Sequence, residues 1–144
     1  HERWHYAQSI DADALIAQYE GFVELVEASG AEIVWLPTDG PAGDPDDLAD
    51  SIFTYDPSFV VPGGAVVLRP GKPLRAGEAD LHQSFYEAAG IPVLGRIEAP
   101  GTFEGGDSFW LDATTLAVGR GFRTASPSRH TTCRTTSGPT PAST

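Results

Sequence analysis

The 144-residue chain has the length of one ordinary domain, and a hydrophobic content of 40% is enough for a packed core. Its formal net charge of −11 argues against nucleic acid and anionic membranes as partners. A single cysteine, Cys133, excludes an internal disulfide and favours a reducing compartment. No apolar run approaches the ~18 residues of a membrane helix. A cytoplasmic protein is therefore expected.

The first half of the chain predicts one helix, one strand and an acidic loop. Apolar residues recur at helical spacing over residues 9–30, where Ser9 or Asp11 can serve as the N-cap. The short apolar segment 32–36 predicts a strand. The stretch 40–47 is rich in Gly, Pro and Asp and predicts a turn-rich loop.

The second half predicts a helix between short strands. Residues 76–89 carry Leu81, Phe85 and Ala89 at a spacing of four, which predicts the second helix. Strands are predicted at residues 51–53, 59–61, 65–69, 91–97, 108–111 and 116–118. Alternating helices and strands of this kind predict an α/β fold.

An internal repeat relates two parts of the chain at an offset of roughly 60 residues. The recurring features are a Glu-Ala-x-Gly helix end at 27–30 and 87–90, an Asp-Ser-apolar segment at 50–53 and 107–110, and the arginines Arg75 and Arg123. A helix, a glycine and a strand also follow one another by chance in α/β proteins. The joint recurrence of acids and arginines favours a true repeat.

Two acids separated by two glycines, Glu104-Gly105-Gly106-Asp107, stand at the entrance to the predicted strand 108–111. Glycine serves where the backbone takes a positive φ or where another group approaches closely. We interpret the segment as a carboxylate pair held by a special backbone. The alternative is an ordinary turn that carries two acids.

Acids and arginines occupy positions that the repeat would bring together. The acids are Asp50, Asp56, Glu104 and Asp107, and the arginines are Arg75 and Arg123. Converging carboxylates bind a cation, for which a planar guanidinium is best suited, and the arginines can hold a carboxylate. Such a site fits an arginine-like amino acid. The alternatives are surface salt bridges of little energy, or oxygen ligands for Mg²⁺ or Ca²⁺.

Four segments resemble the guanidino-group-modifying enzymes in order and spacing. They are residues 50–56, 69–78, 104–107 and 118–124. This superfamily includes dimethylarginine dimethylaminohydrolase, arginine deiminase and glycine amidinotransferase, and the chain most resembles the dimethylaminohydrolase branch. The resemblance implies a five-fold pseudo-symmetric α/β propeller (pentein) built of ββαβ units, of which two to three are expected here.

The resemblance also implies a mechanism and a set of site residues. A cysteine thiolate attacks the guanidinium carbon, and a thiouronium intermediate is then resolved without a cofactor or a metal. By this resemblance Glu104 is catalytic. The substrate-binding positions are Asp50, Phe53, Asp56, Arg75, Asp107 and Arg123. The implied partner is a small guanidino compound.

The chain departs from the family's pattern in three places. Tyr55 stands where these enzymes often carry an acid or an arginine, and the family's cysteine and histidine find no matching positions. Residues 1–123 are therefore expected to form a partial catalytic domain. Residues 124–144, rich in Ser, Thr and Pro, predict disorder and are also what out-of-frame translation would give. His130 and Cys133 lie in this tail, where no element positions them.

These departures predict a fragment that is inactive alone and whose open strand edges favour self-association. One alternative is a non-catalytic module for arginine-like ligands, and another is an acidic α/β domain without a ligand. The choice between hydrolase, deiminase and amidinotransferase stays open.

Overall fold

The computed structural model describes residues 2–37 and 48–125, and this part of the chain forms two α-helices and five strands, besides three short 3₁₀ helices. The helices are α1 (Ala12–Ala28) and α2 (Ala76–Ala88). The strands are β1 (Ser58–Val61), β2 (Gly64–Val67), β3 (Val93–Arg96), β4 (Ser108–Trp110) and β5 (Leu116–Val118). Neither of these helices is long and apolar enough to cross a bilayer.

The elements β1, β2, α2 and β3 form one ββαβ unit. β1 and β2 are antiparallel, with Ser58 opposite Val67. β3 pairs in parallel with β2, so α2 is the crossover between two parallel strands. β4 and β5 form a separate antiparallel hairpin, and a bridge between Arg69 and Phe103 connects the two regions. The predicted mixed α/β fold is confirmed.

The core lies where α2 packs on β2. Ala79 and Leu81 are buried on the helix, and Ala65, Val67 and Leu68 are buried in or beside the strand. The apolar spacing predicted the helix but only part of its buried face, because Phe85 is half-buried and Ala89 is exposed. This packing places the first turn of α2, where the site begins, on a rigid support.

A polar cluster is buried within the same core. The Ser58 Oγ lies 2.7 Å from the His82 Nδ1 and 2.8 Å from the Tyr86 hydroxyl. The His82 Nε2 has no hydrogen-bond partner among the described residues. Burial, aided by the positive charge of Arg75, lowers the pKa of His82 to about 4. The imidazole is therefore neutral at pH 7.

Helix α1 begins as the sequence predicts but is less buried than its pattern suggests. The Asp11 side chain accepts a hydrogen bond of 3.1 Å from the Ala14 amide, which confirms Asp11 as the N-cap. None of the helix's residues is fully buried. The Tyr19 ring lies 6.2 Å from the ring of Trp35, so the chain that follows folds back on the helix.

Two of the predicted strands do not form. Residues 32–36 are described without strand structure, because an apolar run becomes a strand only where a neighbouring strand supplies hydrogen bonds. Residues 51–53 lie in consecutive turns instead, with the Ser51 amide donating to the Leu48 carbonyl and the Phe53 amide donating to the Asp50 carbonyl. Those turns present the residues of this segment to the site.

Parts of two predictions lie outside the described residues. They are the loop at 40–47 and the tail from residue 126 onward, so the predicted domain boundary stays a prediction. The first two residues of the predicted tail are described. Ala125 exchanges backbone hydrogen bonds of 2.9 and 3.0 Å with Thr102, and Thr124 is buried.

Candidate functional site

One cavity of about 560 Å³ brings most of the predicted site residues together. Five of the seven line it: Asp50, Phe53, Asp56, Arg75 and Arg123. The other lining residues are Trp4, His5, Tyr6, Gly71, Lys72 and Phe122. Glu104 and Asp107 do not line the cavity. The acids of segment 50–56 and the arginines of two distant segments therefore line one pocket.

Arg75 is held at the base of this pocket by acids of its own chain. Its Nε donates to both carboxylate oxygens of Glu78 at 3.0 Å, and its Nη2 donates to Glu78 Oε2 at 2.6 Å. Its Nη1 donates to Asp56 Oδ2 at 2.7 Å. Burial alone would lower the pKa of Arg75, but the hydrogen bonds to Glu78 and Asp56 overcome burial and raise it. The guanidinium is permanently charged and has few free donors.

Asp56 connects Arg75 to the glycine turn. Its Oδ1 accepts a hydrogen bond of 2.8 Å from the Gly106 amide, and its backbone carbonyl accepts one of 3.2 Å from the Gly105 amide. Both carboxylate oxygens thus have protein donors, Arg75 for Oδ2 and the Gly106 amide for Oδ1. Residues 50 positions apart in sequence are joined at this carboxylate.

Asp50 fastens the N-terminal segment to the pocket. Its Oδ1 accepts from the Tyr6 hydroxyl at 2.7 Å, and its Oδ2 accepts from the Lys72 ammonium at 2.7 Å. Burial alone would raise the pKa of Asp50, but the hydrogen bonds from Lys72 and Tyr6 outweigh it and lower the pKa. Burial and the bond to Asp50 raise the pKa of Tyr6 to about 12. Lys72 also lies 4.7 Å from the ring centroid of Trp4.

Glu104 and Asp107 lie in the turn next to the pocket. Glu104 Oε1 accepts a hydrogen bond of 3.0 Å from the amide of Gly71, which lines the cavity, and the Glu104 side chain is only 4% exposed. The Thr124 hydroxyl donates to Asp107 Oδ2 at 2.6 Å and accepts from the Glu104 amide at 3.1 Å. Two acids that are neighbours in sequence therefore have different surroundings.

The two glycines of the turn are required for close approach. Neither has a positive φ. A Cβ on Gly105 would overlap the carbonyl oxygen of Tyr55, and a Cβ on Gly106 would lie 2.6 Å from Asp56 Oδ1. Of the two reasons for glycine that the sequence allows, the structure shows close approach: by the Tyr55 backbone at Gly105 and by the Asp56 side chain at Gly106.

Replacing Gly105 with alanine should therefore destabilise the fold. Because the obstacle is a backbone oxygen that cannot rotate away, Gly105→Ala is expected to cost roughly 1–3 kcal/mol in the free energy of unfolding, measured by urea titration. Gly21→Ala is the matched control, since nothing lies within 4 Å of a Cβ there and Gly21 is inside α1. That control should stabilise by about 0.5–1 kcal/mol. Equal effects of the two substitutions would contradict the packing at Gly105.

The arginines that line the pocket differ in their freedom to meet a ligand. The Arg75 side chain is 3% exposed, whereas that of Arg123 is 52% exposed. The Arg123 Nη1 reaches Glu104 Oε2 only at a long 3.4 Å, and its guanidinium lies 5.4 Å from the Phe122 ring. Arg123 can therefore turn toward an incoming carboxylate more easily than Arg75 can.

Sequence reasoning missed three residues that organise the pocket. Glu78 pairs with Arg75, Lys72 pairs with Asp50, and Tyr6 donates to Asp50. The spacing of Arg75 and Glu78, three apart at the start of a predicted helix, was the available signal for the first pair. No local pattern indicates that Tyr6 meets Asp50, because 44 positions separate them.

Sequence comparison relates the chain to dimethylarginine dimethylaminohydrolases. It is 29% identical over 92 residues to N(G),N(G)-dimethylarginine dimethylaminohydrolase of Pseudomonas aeruginosa, a match covering 64% of this chain and 34% of that protein. It is also 29% identical over 107 residues to the uncharacterised protein YkgA of Bacillus subtilis, covering 74% of this chain and 34% of that protein. The matches thus span about a third of each relative's length. No protein-family model matches the chain.

Comparison with solved structures also relates the chain to dimethylarginine dimethylaminohydrolases. Dimethylarginine dimethylaminohydrolase from Pseudomonas aeruginosa, as a mutant complexed with citrulline, has a TM-score of 0.70 at 27% identity, covering 83% of this chain and 44% of that one. A dimethylarginine dimethylaminohydrolase adduct with S-methyl-L-thiocitrulline has a TM-score of 0.69 at 28% identity, covering 80% and 42%. The chain spans less than half of these structures.

Fold and site together define a class: a mixed α/β protein whose acids and arginines converge on a pocket next to a Glu-Gly-Gly-Asp turn. Sequence and structure both relate the chain to the guanidino-group-modifying superfamily, through its similarity to dimethylarginine dimethylaminohydrolases. The resemblance read from the four sequence segments is thereby confirmed.

Proposed function

We propose that this chain carries the substrate-recognition part of an enzyme that acts on the guanidino group of arginine or a methylated arginine. In the complete reaction, a cysteine thiolate attacks the guanidinium carbon, the amine leaves, and water resolves the thiouronium intermediate. We also propose that the chain contributes two to three ββαβ units to a five-unit propeller. The unit formed by β1, β2, α2 and β3 supports this architecture.

One contact carries the proposal most directly. Asp56 Oδ1 accepts a hydrogen bond from the Gly106 amide, which brings the acids of segment 50–56 onto the turn of Glu104. A guanidinium bound near these carboxylates would meet negative charge from two separate parts of the chain. Bidentate carboxylate contacts suit the planar guanidinium group better than any other side-chain cation.

Different residues would serve the two ends of the substrate. Asp50 and Asp56 lie on the pocket wall and would attract the guanidinium, with Phe53 beside them. Arg75 and Arg123 would bind the carboxylate of the amino acid, and Arg123 is the more exposed of the two. Glu104, held by the Gly71 amide next to the pocket, would stabilise the positive charge of the reacting group.

The reaction itself needs groups that the described pocket does not supply. Its described lining residues include no cysteine, and Cys133 lies outside the described part of the chain. We therefore propose that this chain recognises the substrate and that a cysteine and a histidine elsewhere carry out catalysis. A chain of this kind binds substrate without turning it over.

The purified chain is expected to bind arginine with a millimolar or lower Kd and to form no citrulline. Calorimetry with arginine and monomethylarginine measures the first, and a colorimetric citrulline assay measures the second. Asp56→Asn should weaken binding about tenfold or more, because it removes charge from the pocket wall. Asp80→Asn, a control at an exposed acid paired with Arg96, should leave the Kd unchanged. Citrulline formation would refute the division of roles, and absence of binding would refute recognition.

A non-catalytic module for arginine-like ligands is the second candidate. It is favoured by the acids and arginines of the pocket, whose described lining residues include no cysteine. The coding sequence on both sides distinguishes the two candidates. A continuation that encodes a cysteine and a histidine in the family's pattern supports the enzyme. Binding that is lost on Glu104→Gln, without such a continuation, supports the module.

A further inference from the structure

We propose that Lys72 is a specificity-determining residue of the pocket, because its ammonium occupies the position at the Asp50 carboxylate that the α-ammonium of an amino-acid ligand would otherwise take. The proposal rests on the function proposed above and deepens it. The α-ammonium of a ligand has to compete with Lys72. The pocket therefore recognises the guanidino and carboxylate ends of a ligand and gains little affinity from the amino group.

Three groups surround the Lys72 ammonium, and each of them suits a primary ammonium. Asp50 Oδ2 lies 2.7 Å from the Lys72 Nζ, and the Trp4 carbonyl oxygen lies 2.8 Å from it. The Nζ also lies 4.7 Å from the centroid of the Trp4 ring, within the range of a cation–π interaction. A carboxylate, a carbonyl and an aromatic face together form a position for one positively charged amino group, and Lys72 fills it.

This position lies close to Arg75, which lines the same pocket. Lys72 and Arg75 are joined by one 3₁₀ turn, in which the Arg75 amide donates to the Lys72 carbonyl at 2.9 Å. The Arg75 Nη2 lies 3.3 Å from the backbone carbonyl oxygen of Asp50. An amino acid carries its ammonium and its carboxylate on the same carbon. A ligand whose carboxylate is bound by Arg75 therefore brings its ammonium to the Asp50 side of the pocket.

Of the two acids that line the pocket, Asp50 is the one with a partner that can leave. Asp56 is bound by the Gly106 backbone amide and by the buried Arg75. Asp50 is bound by Lys72, whose long and flexible side chain is 18% exposed. A ligand ammonium that displaces Lys72 gains only the contacts that Lys72 gives up. Since Lys72 is tethered next to the carboxylate, the exchange adds little to the affinity.

Arginine and 5-guanidinopentanoate, which is arginine without its α-amino group, test this competition. Calorimetry on the full chain gives the ratio of their dissociation constants. In the wild type the two Kd values should be similar. Lys72→Met leaves the Asp50 carboxylate to the ligand, so the ratio should shift in favour of arginine by about tenfold or more. Lys72→Gln should give the same shift. Adding Asp50→Asn to Lys72→Met should abolish it, because the charge that attracts the ammonium is removed.

Arg96→Gln is the control for the loss of one positive charge. Arg96 pairs with the exposed Asp80 and is not among the residues that line the pocket. Its substitution should leave the ratio at the wild-type value. A ratio that also shifts tenfold in Arg96→Gln would show that the effect comes from net charge and would overturn the role of Lys72.

Two further results would overturn the proposal and leave the proposed function intact. One is an unchanged ratio in the folded Lys72→Met and Lys72→Gln variants. The other needs no variant: a wild-type chain that already binds arginine tenfold or more tightly than 5-guanidinopentanoate does not restrict the ligand ammonium. If neither the wild type nor Lys72→Met binds either ligand, the proposed function itself is refuted.

Discussion

Arg75→Ala is expected to lower the free energy of unfolding by roughly 3–5 kcal/mol. The substitution leaves the Glu78 carboxylate fully buried and without its three hydrogen bonds. It also removes a donor from Asp56 and from two backbone carbonyls. Breaking one partner of a buried ion pair costs far more than the net value of the pair, because a desolvated charge remains. Urea unfolding followed by tryptophan fluorescence at pH 7 measures the loss.

Arg96 provides the matched control for this substitution. It pairs with Asp80 at 2.6 Å, but both side chains are substantially exposed, so Arg96→Ala should cost at most about 1 kcal/mol. The double change of Arg75 and Glu78 to methionine should recover a large part of the loss seen for Arg75→Ala. If Arg75→Ala and Arg96→Ala destabilise equally, the buried pair does not have the energetic role that its geometry indicates.

The regular elements were predictable where one short-range pattern decides the structure. Helix α2 forms where its apolar spacing predicts it, with Leu81 buried, and the Asp11 cap follows from its position before the first apolar residues. Strands β4 and β5 are neighbours in sequence and pair with each other. Residues 32–36 show the limit of this reasoning, because whether an apolar run becomes a strand depends on a partner that lies elsewhere.

The site was predictable to the extent that residue types and motif order determine it. Segments with acids and arginines identified five residues that line one pocket. The partners of these residues could not be derived from the pattern. An arginine in a sequence can face a ligand or an acid, and only folding shows that Arg75 faces Glu78 while Arg123 stays exposed. The contact of Tyr6 with Asp50 is equally a result of tertiary structure.

The second large effect is a loss of stability in mild acid that originates at His82. Burial and the charge of Arg75 lower the pKa of this imidazole to about 4 in the folded chain, against an ordinary value of 6.5. Between these values the unfolded chain binds a proton that the folded chain does not, so folding stability falls as pH falls. The contribution is fully present above pH 6.5 and is lost progressively toward pH 4, by roughly 3 kcal/mol.

Urea unfolding of the wild type and of His82→Leu at several pH values between 4 and 7.5 isolates this contribution. In the variant, the Ser58 and Tyr86 hydroxyls still satisfy one another at 2.8 Å. Burial raises the pKa of Glu78, so Glu78 also takes up a proton in the folded chain as the pH falls. Both proteins contain Glu78, so this contribution cancels when the free energy of unfolding of one is subtracted from that of the other. The wild type should therefore lose stability relative to His82→Leu as the pH decreases. A difference that does not change with pH would show that His82 is protonated as readily in the folded chain as in the unfolded one.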